Sequence, residues 1–326
     1  MVTTKDLAKI CGVSRATVTR ALSGNGSIKP ETREQVLQAA KEYGYRPDLL
    51  ARSLVKGTSM TVGVIVVDLK NQYFPKMINA MENRAKESRY MLNITLHENS
   101  KETELQLIQA LDAHRVDGMI ISPVNKGETF RDLLKNLRIP VVMIGNRMGD
   151  DIPSVGINEV HSGLEATEFI LSKGYRNIVF VVPPLMDEEG MKNIGHEQRL
   201  EGYEQAMRQA GYESCVIYGY DYKDKVMEHF THSAEKAAYL CSGDVYAATV
   251  MEMLAHKNYI AGRDYGIMGY DYLEFYQNWS SRLSTVNNFV EQIGYEAMNL
   301  LLRLIAGEDC SENVEIPFQI IEGNTL

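Results

Sequence analysis

The sequence predicts an α/β chain in which a small three-helix unit precedes two doubly wound parallel sheets. Three observations carry that prediction. An apolar helical period within Thr3 to Leu22 breaks at Gly12 and resumes at once, strand and helix signals alternate in two successive series from Thr61, and the charge balance reverses along the chain. At 326 residues the chain exceeds one ordinary domain, with ample apolar content for more than one core. Residues 1–60 carry ten basic against five acidic side chains, net +5, and the remainder 24 basic against 38 acidic, net −14. A basic head on an acidic body points to a polyanion-binding module attached to a unit with another task.

The head comes first. Thr4 is the expected cap of a first helix with Leu7, Ala8, Ile10 and Cys11 as its apolar positions, and Gly12 supplies the stop. Ser14 caps a second helix. At ~100° per residue, Arg15, Ala16, Thr19 and Arg20 share one arc, while Thr17, Val18, Ala21 and Leu22 fill the opposite one. A third helix starts near Pro30, with Val36, Leu37, Ala40 and Tyr43 as its expected inner face, and ends at Gly44. Three short helices with a tight turn after the first make a helix-turn-helix, and the break at Gly12 lets the second helix leave the first steeply enough to enter a major groove. Arg15 and Arg20 have the reach and the fork for guanine O6 and N7, and Ala16 the size to touch a thymine methyl. A helical oligomerisation module is the alternative, which two outward arginines do not favour.

The run "TTKDLAKICGVSRATVTRALSGNGSIKPETREQVLQAAKEYGYRPDLLARSL" resembles the DNA-binding head of the lactose/galactose repressor (LacI/GalR) family almost position by position. Thr19 stands for the usual serine and Asp48 for the usual asparagine, and "SGNG" replaces an asparagine-centred turn. The resemblance places Thr4, Ser14, Thr17, Asn25 and Thr32 at the DNA surface with Arg15, Ala16, Thr19 and Arg20. It makes "RPDLLARSLVKGTSM" a hinge helix that orders when two subunits sit on an operator, with Leu54 as a minor-groove wedge and Lys56 beside the phosphates. An ordinary linker with a buried leucine is the other reading of that segment.

From Thr61 the chain alternates. "TVGVIVVD" reads as a buried strand with a helix from about Phe74, followed by the strands "MLNITLHE", "VDGMIISP" and "PVVMIGN". A second series begins near Gly163 with "NIVFVVP", "SCVIYGY", "AAYLCSG" and "YGIMGYD". Two such series give two lobes with a ligand cleft at the strand C-termini. A final helix, Val290 to Ala306, and "VEIPFQII" are expected to complete the first and then the second lobe. The resemblance extends here to the periplasmic sugar-binding fold. The expected organisation is thus a helix-turn-helix head over 1–46, a hinge over 47–59 and a bilobed periplasmic-binding-protein-like body over 60–326, with lobe 1 at about 60–157 and 288–316 and lobe 2 at about 158–287 and 317–326.

Candidate ligand contacts follow from position and chemistry. Tyr73 and Phe74, after the first strand, can stack on a ring or cap the core. Arg199 matches the family arginine that often contacts the effector, and its fork suits hydroxyls or an anion. Asp271 ends "MGYD", and Asp244 begins a helix, where a plain N-cap role is favoured. Asn146 and Trp279 complete the set. Gly145 stands where many relatives have aspartate, and Asn158 and Glu159 where an Asp-Asn pair is usual. Carboxylate, guanidinium, amide and aromatic groups together suit a sugar, with a purine as the alternative.

The implied protein is a homodimeric regulator, a repressor in the commoner family outcome, with double-stranded operator DNA and a small effector as partners. Cys11, Cys215, Cys241 and Cys310 lie too far apart for metal or disulfide spacing, so no metal and no cofactor are expected. No export signal and no long apolar run are evident, so the cytoplasm is the expected compartment and no membrane partner is expected. An enzyme would need a nucleophile elbow, phosphate loop or dinucleotide fingerprint after a strand, and none occurs. A transport-type binding protein would not carry the basic head.

Overall fold

The computed structural model describes residues 2–24, 28–46, 57–145, 149, 151–182, 186–187, 190–191, 194–278, 280–310 and 313–326. Asn25, Leu54, Lys56, Asn146 and Trp279 lie outside these residues, as does most of the expected hinge. The chain forms two compact units, Met1–Ser59 and Met60–Leu326.

In the first unit, α1 spans Thr4–Ile10, α2 Arg15–Ser23 and α3 Pro30–Glu42. The cap of α1 is Thr3, one residue before the expected Thr4. Asp6 then stands at the third helical position, where its backbone N–H donates to Thr3 Oγ1 (3.3 Å) and its carboxylate accepts from the Thr3 N–H (3.0 Å). The Thr3 hydroxyl also donates to Asp6 Oδ2 at 2.7 Å, and this bond, with the one from the Thr3 N–H, holds the Asp6 carboxyl below its usual value. Ser14 caps α2 as expected, accepting from Thr17 N at 3.1 Å, and Gly12 takes φ +64°, which lets the chain turn sharply between the helices. Leu7, Cys11, Val18, Ala21, Val36 and Ala39 form the small core. Leu37 and Tyr43, expected inside, are about half exposed at 47% and 48%. Against two short helices α3 can bury only the narrow stripe through Val36 and Ala39, and Tyr43 already lies past the last helical turn.

The second unit holds two six-stranded sheets. The first contains β1 (Thr61–Val66), β2 (Met91–Leu96), β3 (Gly118–Ile121), β4 (Val141–Ile144), β5 (Ser154–Gly156) and β13 (Asn313–Glu315), in the order β13-β5-β4-β3-β1-β2. The second contains β6 (Asn177–Val181), β9 (Cys215–Ile217), β10 (Ala237–Cys241), β11 (Gly266–Tyr270), β12 (Ser284–Asn287) and β14 (Gln319–Ile321), in the order β14-β12-β11-β10-β6-β9. A two-residue pair, β7 (Met186–Asp187) and β8 (Gly190–Met191), stands apart. Only β14 runs antiparallel in the large sheets. Both sheets reverse strand order beside their first strand, which places a ligand crevice at that switch point. Strands β5 and β12 went unmarked in the sequence because "SVG" and "STVN" carry no apolar run, unlike the equally short β3, β4 and β9.

Among the described residues, the helices of the second unit are α4 (Tyr73–Glu87), α5 (Lys101–Ala113), α6 (Glu128–Lys135), α7 (Glu159–Ser172), α8 (Ile194–Gln209), α9 (Tyr222–His232), α10 (Asp244–Ala255), the short α11 (Glu274–Gln277) and α12 (Val290–Ile305). The chain passes between the sheets three times, after β5, β12 and β13, and α12 packs on the first sheet and on α4. Apolar residues fill both faces of each sheet, as parallel strands require. Helices α7 and α8 cross in backbone contact. A Cβ on Gly163 would stand 2.3 Å from the Arg199 carbonyl oxygen, and one on Gly202 would stand 2.0 Å from that of Val160.

Candidate functional site

Two surfaces carry the chemistry. On the head, Arg15, Ala16, Thr19 and Arg20 are all exposed on one face of α2, while Val18 and Ala21 are buried on the other. Thr17 is half-buried, with its hydroxyl 2.9 Å from Ser14 Oγ. Arg15 Nε donates to Thr4 Oγ1 at 3.1 Å, which steadies the guanidinium from the neighbouring helix. Thr32 lies half-buried in the first turn of α3.

In the second unit the C-terminal ends of both sheets enclose a cavity of about 160 Å³. Asp68 and Asn71 follow β1, Tyr73 and Phe74 open α4, and Ser122 and Gly145 follow β3 and β4. From the other sheet come Glu159 at the start of α7, His196 and Arg199 on α8, Ser242 after β10, Tyr246 on α10 and Asp271 after β11. Tyr73 and Phe74 meet edge to face, 5.0 Å between centroids, and both also pack on the core of the first sheet, so they line the cavity and cap the core at once.

Arg199 is the anchor of this wall. It is only 5% exposed and lies over the Tyr270 ring, its guanidinium carbon 4.3 Å from the centroid. Its Nε donates to Glu159 Oε2 at 2.6 Å, Nη2 to Glu159 Oε1 at 3.0 Å and Nη1 to the Ser242 carbonyl at 2.7 Å. Burial, the largest single influence, works against the guanidinium charge, but Glu159, Asp271 and Tyr270 together outweigh it and raise the pKa. Burial leaves His196 well below its usual value and hence neutral.

Asp271 takes φ +96°, an uncommon conformation for a residue with a Cβ, and its Oδ1 accepts from Asn288 Nδ2 at 3.0 Å. Burial pushes its carboxyl up to about 6, with Arg199 pulling the other way. The unfolded chain ionises this group near 3.8 and the folded chain near 6, so the folded state binds more protons between those values. Asp271 therefore lowers stability as pH rises through that window. Urea midpoints measured from about pH 4 to 7 should show that component vanish in Asp271→Asn, the difference between the two proteins being the readout.

Asp244 does not line the cavity. It is the first residue of α10, Gly243 being the cap, and it is fully buried, accepting from Leu273 N (2.8 Å) and Thr285 Oγ1 (2.6 Å). Burial raises its carboxyl well above the usual range. It pins the backbone just past Asp271 and Tyr272, both at positive φ, and so positions the loop that carries Asp271. Sequence reasoning missed Asp68, Tyr246 and the partnership of Glu159. The only signal for the last was a carboxylate standing where relatives carry a neutral amide.

Residues 3–48 match the family described as bacterial regulatory proteins, lacI family, and residues 59–323 that of periplasmic binding proteins and the sugar binding domain of the LacI family. The chain is similar to catabolite control protein A of Priestia megaterium, 29% identical over 98% of this chain and 97% of that one. It is also similar to the transcriptional repressor PurR of Histophilus somni, 27% identical over 94% and 93%. The lac repressor dimer bound to operator and the anti-inducer ONPF has the same fold, with a TM-score of 0.87 and 22% identity over 99% and 98% of the two chains. With both family matches, one over the head and one over nearly all the rest, the chain belongs to the LacI family and is a DNA-binding transcriptional regulator, not an enzyme.

Proposed function

We propose that this regulator is a homodimeric repressor whose paired heads hold a pseudo-palindromic operator, and that a sugar bound in the cleft of the body sets its operator affinity. The observation that carries the sugar reading is the lining itself: carboxylates, amides, a guanidinium and aromatic rings gathered in one small cavity. A cavity of about 160 Å³ suits a compact ligand. A ligand that binds one arrangement of the lobes better than the other shifts the population between them and so the operator affinity. Residues 47–59 are the proposed hinge that reports that shift, with Leu54 as its wedge. The dimer is supported by an apolar groove on the second lobe, lined by Met251, Tyr259, Ile260, Phe275 and Tyr276, in which Phe275 is 59% exposed. The protein acts where its operator is, in the cytoplasm.

Fluorescence anisotropy of operator fragments selected from a random pool, with and without sugars and nucleobases, tests the reading. Operator affinity that changes with a sugar supports it, a response only to nucleobases replaces the sugar by a purine, and no response to any compound removes the sensing role. In the same assay Arg15→Ala should relax preference at one base position per half-site, at a cost of ~1–3 kcal/mol. Unchanged base preference would remove Arg15 from the reading set.

A further inference from the structure

We propose that Glu159 sets the charge class of the effector: by occupying Arg199 it makes the cleft a site for an uncharged or ammonium-bearing polyhydroxyl compound and closes it to phosphorylated and carboxylate ones. This rests on the cleft being the effector site. An arginine buried at the ends of parallel strands, over an aromatic ring, is ordinarily an anion clamp. Here the Nε–Nη2 edge of the fork is already filled. Nε and Nη2 go to the two Glu159 oxygens at 2.6 and 3.0 Å, and Nη1 to the Ser242 carbonyl at 2.7 Å. Glu159 is 7% exposed and sits in the first turn of α7, where the helix dipole favours its negative charge.

Among the described residues that line the cavity, the other charges have the same sign as Glu159: these are Asp68 and Asp271, and the one cation is Arg199. Lys70 Nζ lies 4.0 Å from Asp68, but that ammonium is held at the surface with a side chain 76% exposed. An incoming phosphate would therefore have to displace Glu159 or settle beside two carboxylates in a largely desolvated pocket. A hydroxyl meets no such obstacle. Arg199 Nη1 and Asp271 Oδ1 stand 3.9 Å apart, too far for a direct hydrogen bond, and one hydroxyl can accept from the first and donate to the second. An ammonium on the same ring gains from Asp68 and Asp271.

The test uses the full chain, wild type, Glu159→Gln and Glu159→Asn. Calorimetric titrations with glucose, glucosamine and glucose 6-phosphate, and with the matching galactose and mannose triplets, form one arm. Sulfate set against chloride at fixed ionic strength, read as the shift in melting temperature, forms the other. In the wild type the phosphorylated member should bind ~100-fold more weakly than its uncharged or amino counterparts, and sulfate should protect the glutamine variant more than the wild type. The head, which also attracts anions, is common to all three proteins and cancels in the difference. A wild type that prefers the phosphorylated member, or that sulfate protects as well as it does the variant, overturns the proposal. If no sugar of any charge binds, the sugar reading of the cleft fails, and the sulfate arm still decides the role of Glu159. The asparagine variant serves if the glutamine one does not fold. If neither folds, sulfate protection of the wild type that Arg199→Lys abolishes overturns the proposal, and its absence upholds it.

Discussion

Replacing Gly202 by alanine is expected to destabilise the body by ~3 kcal/mol, the upper part of the range for overpacking, because the new methyl has nowhere to go. Its carbon would stand 2.0 Å from the Val160 carbonyl oxygen and 2.6 Å from the Leu164 nitrogen, and neither is the movable end of a side chain. Helices α7 and α8 must separate to admit it. For a unit of this size that corresponds to a fall in melting temperature of roughly 6–12 °C. The effect should reach ligand binding too, since Glu159 begins α7 and Arg199 lies within the same crossing on α8. Glu201→Ala, at an exposed position of α8, is the control and should shift stability by under ~0.5 kcal/mol. A Gly202→Ala protein that melts with the wild type would mean that the two helices are not in backbone contact.

Arg199→Met is expected to cost ~3–5 kcal/mol, because it leaves Glu159 buried without its partner. The cost is that of an uncompensated buried charge, beyond the packing lost with the guanidinium. Adding Glu159→Leu removes the uncompensated charge, and the double variant should recover most of the loss, since a buried pair replaced by apolar groups is often nearly neutral. Denaturant midpoints for the four proteins form a double-mutant cycle. Additive losses would show that the two side chains act independently, against the 2.6 and 3.0 Å contacts. Both singles and the double should lose ligand response alike, which separates the role in binding from the role in stability.

What was legible in the sequence followed from periodicity. The two arcs of α2 separate at 100° per residue, and the structure exposes Arg15, Ala16, Thr19 and Arg20 while it buries Val18 and Ala21. Strands such as "NIVFVVP" are long apolar runs that a single window detects, whereas "SVG" and "STVN" become strands only because a neighbour offers them an edge. Asp271 could be placed at the cleft because it ends a strand, and Arg199 because it matches the arginine that the family resemblance puts there. Asp244 could not be placed, because its partners Leu273 and Thr285 arrive from 29 and 41 residues away. Glu159 was visible only as an odd residue. Its meaning depends on a helix crossing that Gly163 and Gly202 permit, and no local pattern encodes that crossing.

Neither lobe of the body is a continuous piece of chain. The first sheet takes its edge strand from Asn313–Glu315 and its covering helix from Val290–Ile305, while the second borrows Gln319–Ile321. A ribosome must therefore release almost the whole chain before either lobe can close, although everything the head needs has been synthesised by residue 59. During synthesis there is an interval in which the nascent chain carries a finished head and no working sensor. A chain broken off within that interval would keep its three-helix head and lose every means of answering a ligand.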